Sequence, residues 1–90
     1  MRAAENIDKI IGEIREFLTP IAQRVGVESF ADGDSLTAAG VLSSLVLFRV
    51  VSFLEETFSI SIDDDEINIE NFDSIDKIQC LVVSNLPGSL

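Results

Sequence analysis

The chain has 90 residues, 47% of them hydrophobic, with six Phe and neither Trp nor Tyr. That composition excludes an intrinsically disordered chain, and the length leaves room for one small domain, residues 1–90, with a modest aliphatic and Phe core. Sixteen acidic against six basic residues give a formal net charge of −10, a field that repels nucleic acid and anionic lipid and serves either a basic protein partner or plain solubility.

The N-terminal stretch interleaves Glu5, Asp8 and Lys9 with isoleucines, unlike a secretion signal. Ile7, Ile10, Ile11, Ile14, Phe17 and Leu18 recur at the spacing of one buried helix face, with Asn6 as a candidate N-cap. Gly12 inside that pattern reflects either simple tolerance or the close approach of another helix. Thr19-Pro20 resembles an N-cap followed by proline at a first helical position, so the helix is expected to stop or kink near Leu18. A short turn through Ile21, Ala22 and Val25 then runs to Gly26.

From Gly26 to Ser43 the glycines Gly26, Gly33 and Gly40, with Asp32, Asp34 and Ser35, compose a long ordered loop. Val27, Phe30, Leu36 and Val41 are expected to pin it to the core. Between Ser44 and Phe58 a second helix places Leu47, Val51, Leu54 and Phe58 inward and Leu45, Arg49, Ser52 and Glu56 outward, with Val46, Phe48 and Phe53 on the flanks. Its greasiest run, Leu45 to Leu54, is broken by Arg49 and too short to span a bilayer.

Ile60 and Ile62 alternate with serines but have no second strand to pair with, so they read as an extended connector. Asp63-Asp64-Asp65-Glu66 leading to Ile67 and Ile69 suits a short helix with an acidic first turn. Asp73 or Ser74 caps a last helix carrying Ile75, Ile78, Leu81 and Val82 inward, and Pro87-Gly88 ends it. The single cysteine, Cys80, precludes an internal disulfide, agrees with a reducing compartment, and is expected as a core thiol of that helix. The expected setting is the cytoplasm. A monomer is expected from the net charge, with surplus apolar surface on the second helix leaving a weak dimer open.

The absence of histidine leaves no obvious base to activate a serine, so hydrolytic chemistry has no support and the chain is not read as an enzyme. The run Asp63 to Glu66 lacks the glycine turn and alternating oxygen ligands of a calcium loop, Asp32-Gly33-Asp34 is too short to form a cage, and no phosphate-loop glycine pattern is present. No metal site is expected. What stands out is Gly40-Val41-Leu42-Ser43-Ser44-Leu45, which puts hydroxyls where a loop becomes a helix, at an end that favours phosphate. A serine there also serves commonly as a plain N-cap.

The ordered set of the glycine-containing loop, Leu36, Gly40 to Leu45, Leu54 to Ile62 and Glu70-Asn71-Phe72-Asp73-Ser74-Ile75 resembles the acyl and peptidyl carrier protein family over about residues 7–83. The resemblance implies an all-α, four-helix carrier bundle with three main helices, one short helix and a long ordered first loop. It puts Ser44 in the place of the serine that bears 4′-phosphopantetheine, a covalent arm drawn from coenzyme A. Leu45 matches the leucine after it, and Gly40 and Val41 match the approach. Ser43 stands where the family usually has aspartate, and is the alternative attachment point or a residue read by the transferase.

The partners implied are a phosphopantetheinyl transferase, a loading ligase or adenylation enzyme for acyl or aminoacyl groups, and a downstream acceptor or tailoring enzyme. In similar proteins the second helix is the docking surface, which here means Leu45, Val46, Arg49, Ser52 and Glu56. Arg49 makes that face less acidic than in fatty-acid-synthesis carriers and suits a freestanding carrier of a specialised pathway. Val46, Phe48, Phe53 and Ile67 are candidates to shield a cargo, or else plain core. The rival expectation is an unmodified, carrier-like interaction module that docks a basic partner.

Overall fold

The computed structural model describes residues 3–86, which are all-helical with no strand. Three α-helices carry the fold: α1 (Ala3–Arg24), α2 (Ser44–Phe58) and α3 (Ile75–Asn85), with 3-10 turns at Asp64–Glu66 and Glu70–Phe72 between the last two. The radius of gyration, 12.5 Å, matches the ~12 Å of a folded chain of this length. Among the described residues no helix is long and apolar enough to cross a membrane.

The first helix is longer than its sequence signals suggest. It starts at Ala3, so Asn6 lies inside it and is not its cap, and it runs unbroken through Pro20 to Arg24. Proline removes one N–H from the ladder and leaves the carbonyl four residues back without that partner. Glu16 and Pro20 are exposed, so water can serve that carbonyl, while Thr19 turns its hydroxyl to the Arg15 carbonyl at 2.7 Å. Continuing the helix also keeps Ala22 in register with Ile10, Ile14 and Leu18 on one buried stripe, which outweighs the stop signal. Gly12 faces open space, so it is tolerated and marks no close helix contact. Gly26, with φ +84°, turns the chain away after α1.

α1 packs along α3 and meets α2 through the stacked rings of Phe17 and Phe53, 4.3 Å between centroids. α2 buries Leu47, Val50, Val51 and Leu54, with Phe58 half-buried. After a left-handed Ser59 at φ +55°, Ile60 and Ile62 are buried without forming a strand. The Ile62 N–H donates to Glu55 Oε2 at 3.0 Å, tying the connector back to α2.

The short helix expected after Asp63 is replaced by the two 3-10 turns. Ile67 and Ile69 are spaced by two, so one helix cannot bury both; Ile67 is extended and both are half-buried. The Asn71 side-chain N–H₂ bridges to the Glu66 carbonyl at 3.0 Å, and Phe72 is fully buried. Ser74 caps α3, its hydroxyl accepting from Lys77 N–H at 3.2 Å. Pro87-Gly88 lies outside the described residues. Cys80 is exposed, contrary to a core thiol, because Ile75, Ile78, Leu81 and Val82 take the inward face and residue 80 falls on the other side.

Candidate functional site

The approach to α2 is built by one turn and held by one carboxylate. Over Ser35–Gly40 the chain makes a helical turn, with Ala39 N–H donating to the Ser35 carbonyl at 3.1 Å and Gly40 N–H to the Thr37 carbonyl at 3.0 Å. Gly40 adopts φ +82°, which lets both Val41 and Leu42 N–H groups return to the Leu36 carbonyl, at 2.8 and 3.1 Å. That reversal buries Val41 and Leu42 and delivers the next two residues to the surface.

Asp73, just before α3, locks this turn from across the chain. Its carboxylate accepts from the Ser35 hydroxyl and the Thr37 N–H, both at 2.8 Å, and its carbonyl accepts from Leu36 N–H at 2.6 Å. The Thr37 hydroxyl and N–H, then the Ser35 hydroxyl, hold the Asp73 carboxyl below its ordinary value of 3.8, because all three stabilise the charged form. A second tie sits upstream, where Arg15 of α1 donates to the Phe30 carbonyl at 2.7 Å, pairs with Asp32 and lies over the Phe30 ring. The Asp32 carbonyl in turn accepts from Asp76 N–H in the first turn of α3, at 3.0 Å.

Ser43 is the N-cap of α2: its backbone is extended and its hydroxyl accepts from Val46 N–H at 3.3 Å. Ser44 is therefore the first helical residue. It is exposed, and its hydroxyl has no partner among the described residues. The N–H groups of Ser44 and Leu45 have no intrahelical acceptor, and the first turn carries no acidic residue. The place fits a phosphodiester: an open hydroxyl, free amide dipoles and no adjacent like charge. No family model, no curated protein and no solved structure matches the chain.

Beyond Ser44 the outward face of α2 forms an open groove of about 430 Å³, in which Leu45, Phe48, Arg49, Ser52, Phe53 and Glu56 face Phe17 of α1. An adjoining hollow of about 270 Å³ continues over Pro20, Ile21 and Arg24 of α1. Leu45 and Phe48 are 71% and 62% exposed, the most open large apolar side chains among the described residues. Of the five residues expected on a docking face, Leu45, Arg49, Ser52 and Glu56 share this groove, whereas Val46 is half-buried against the core. Of the four shielding candidates, Phe48 and Phe53 line it and Val46 and Ile67 do not.

Sequence reasoning missed Phe17 as a groove wall and Asp73 as the lock on the approach. Phe17 fits the helical stripe and reads as core, and nothing local distinguishes it. Asp73 left a faint signal, since Asp73-Ser74 offers two caps and α3 uses only Ser74. Among the described residues no three His, Cys, Asp or Glu side chains could together hold a metal ion.

Proposed function

We propose that this chain is a phosphopantetheine-bearing carrier protein that tethers an acyl or aminoacyl group as a thioester and delivers it to partner enzymes of a specialised biosynthetic pathway. The observation that carries the reading is Ser44 itself: an exposed, unpartnered hydroxyl at the first position of α2, beside free helix amides. It supports the resemblance because the serine in the expected register is the free one, while Ser43 is occupied as the cap. The departure from aspartate at Ser43 costs little locally, since a serine oxygen accepts the same N–H that a carboxylate would.

In this role Ser44 is a passive acceptor. Its oxygen forms the bond to phosphorus, its proton passes to a base on the transferase, and the 3′-phosphoadenosine monophosphate half of coenzyme A leaves. The α2 amides then face the phosphodiester charge. Once attached, the arm supplies the thiol that holds the cargo. On this reading the two 3-10 turns stand for the short helix of a four-helix carrier bundle, the setting is cytoplasmic, and catalysis belongs to the transferase, the loading enzyme and the acceptor.

The test is intact mass after incubation with coenzyme A and a permissive phosphopantetheinyl transferase. The wild type and Ser43→Ala gain one phosphopantetheinyl group and Ser44→Ala gains none. A wild type that stays unmodified overturns the carrier reading and leaves the unmodified interaction module in its place.

A further inference from the structure

Besides its core face α2 carries an outward stripe, apolar at Leu45 and Phe48 and polar at Arg49, Ser52 and Glu56, that the bundle leaves largely open. This outward stripe, with the half-buried Phe53 stacked on Phe17 at its edge, follows the same three-and-four spacing as the core stripe and floors the open groove. Neither Arg49 nor Glu56 forms an ion pair among the described residues. The two lie seven residues apart, two turns on one face and about 10 Å along the axis, so the stripe holds opposite charges at equal distances from a midpoint between Ser52 and Phe53.

Such a stripe is complementary to itself in one orientation only. An antiparallel copy related by a two-fold axis through that midpoint meets each Arg49 with the other's Glu56, whereas a parallel copy meets like with like. Ser52, small and exposed, sits at the crossing where the helices must approach, and Phe48 falls beside Phe53 and Thr57 of the second copy. We infer that two copies of this chain pair reversibly through the outward face of α2, antiparallel, with reciprocal Arg49–Glu56 contacts. One helix face of this extent belongs to the weak class of interfaces, below about 1,200 Å² of total buried surface. The pairing stands on the groove alone and needs no modification of Ser44, but it covers the face expected to dock partner enzymes, so the pair and a docked enzyme exclude each other.

The net charge of −10 on each copy opposes association. Its reach shrinks to about 8 Å at physiological salt, while the reciprocal pairs lie within that distance, so pairing strengthens as salt rises from about 10 mM to 0.15 M. Sedimentation of the full chain from about 10 µM to 1 mM tests the inference. A concentration-dependent dimer is expected. Arg49→Glu weakens it by about tenfold, Glu56→Arg weakens it less because it also lowers the net negative charge that opposes association, and the double swap restores it to within about threefold, with circular dichroism unchanged because both positions are exposed.

A species that remains monomeric throughout overturns the inference. A dimer indifferent to the single swaps, or not rescued by the double swap, overturns it as well. Ser44→Ala dimerises like wild type, so failure here and failure of the carrier reading are seen in separate measurements.

Discussion

The approach to α2 and the outward face of α2 are neighbours held in opposite ways. The approach is over-determined by polar ties: Asp73 takes three hydrogen bonds from Ser35, Leu36 and Thr37, and Arg15 clamps Phe30 and Asp32. The outward face has almost none and instead leaves Leu45 and Phe48 in solvent. A group that must be presented at a defined point needs directional bonds, whereas a surface that binds and releases needs apolar area left uncovered. Ser44 sits at the junction of the two.

Substitutions at three positions sharpen or break this contrast, apart from the tests given above. The largest effect is expected at Asp73. Replacing it by Ala removes the carboxylate that holds Ser35 and Thr37, leaving only the backbone carbonyl on Leu36, and costs about 2 kcal/mol in denaturant unfolding, the carboxylate's partial exposure keeping the loss below the sum of its bonds. Asp73→Asn isolates the charge. Because the folded pKa of Asp73 lies below 3.8, its carboxylate contributes stability fully above that value, and the contribution is lost as pH falls through the lower folded pKa. The stability gap between wild type and Asp73→Asn should therefore close on acidification below about pH 4; a gap that stays constant or widens removes the carboxylate from its assigned part.

Gly40→Ala comes next. A methyl group there meets open space, so the whole cost is the left-handed backbone at φ +82°, about 1 kcal/mol by thermal or chemical unfolding. A neutral result would mean that the turn does not depend on that conformation. The smallest effect belongs to the outward face, where Phe48→Ser should shift monomer stability by no more than about 0.5 kcal/mol. A loss of several kcal/mol would instead make Phe48 a core residue and dissolve the distinction between the two faces of α2.

Much of the scaffold is legible in the chain. The stripe Ile10, Ile14 and Leu18, the inward set Leu47, Val51 and Leu54, and the extended Ile60 and Ile62 follow from spacing within a few residues, and the cap of α3 is narrowed to Asp73 or Ser74, of which the structure uses Ser74. Pro20 misleads because its local stop signal is weaker than the burial gained by carrying Ala22 onto the same stripe. Asp63 to Ile69 misleads because an acidic opening suits a helix, yet the two-residue spacing of the isoleucines does not. Cys80 shows that hydrophobic neighbours in sequence are not neighbours in space: the inward face of α3 passes it by.

The candidate site divides in the same way. That a serine opens an apolar helix after a glycine approach is written in residues 40–45, because capping and helix polarity act over one turn. That Asp73 reaches back over more than thirty residues to the turn, and that Phe17 joins the outward face of α2, were decided only by the packing of α1, α2 and α3. Periodicity assigns a side chain to a face of its own helix, but only the arrival of another helix determines whether that face is covered.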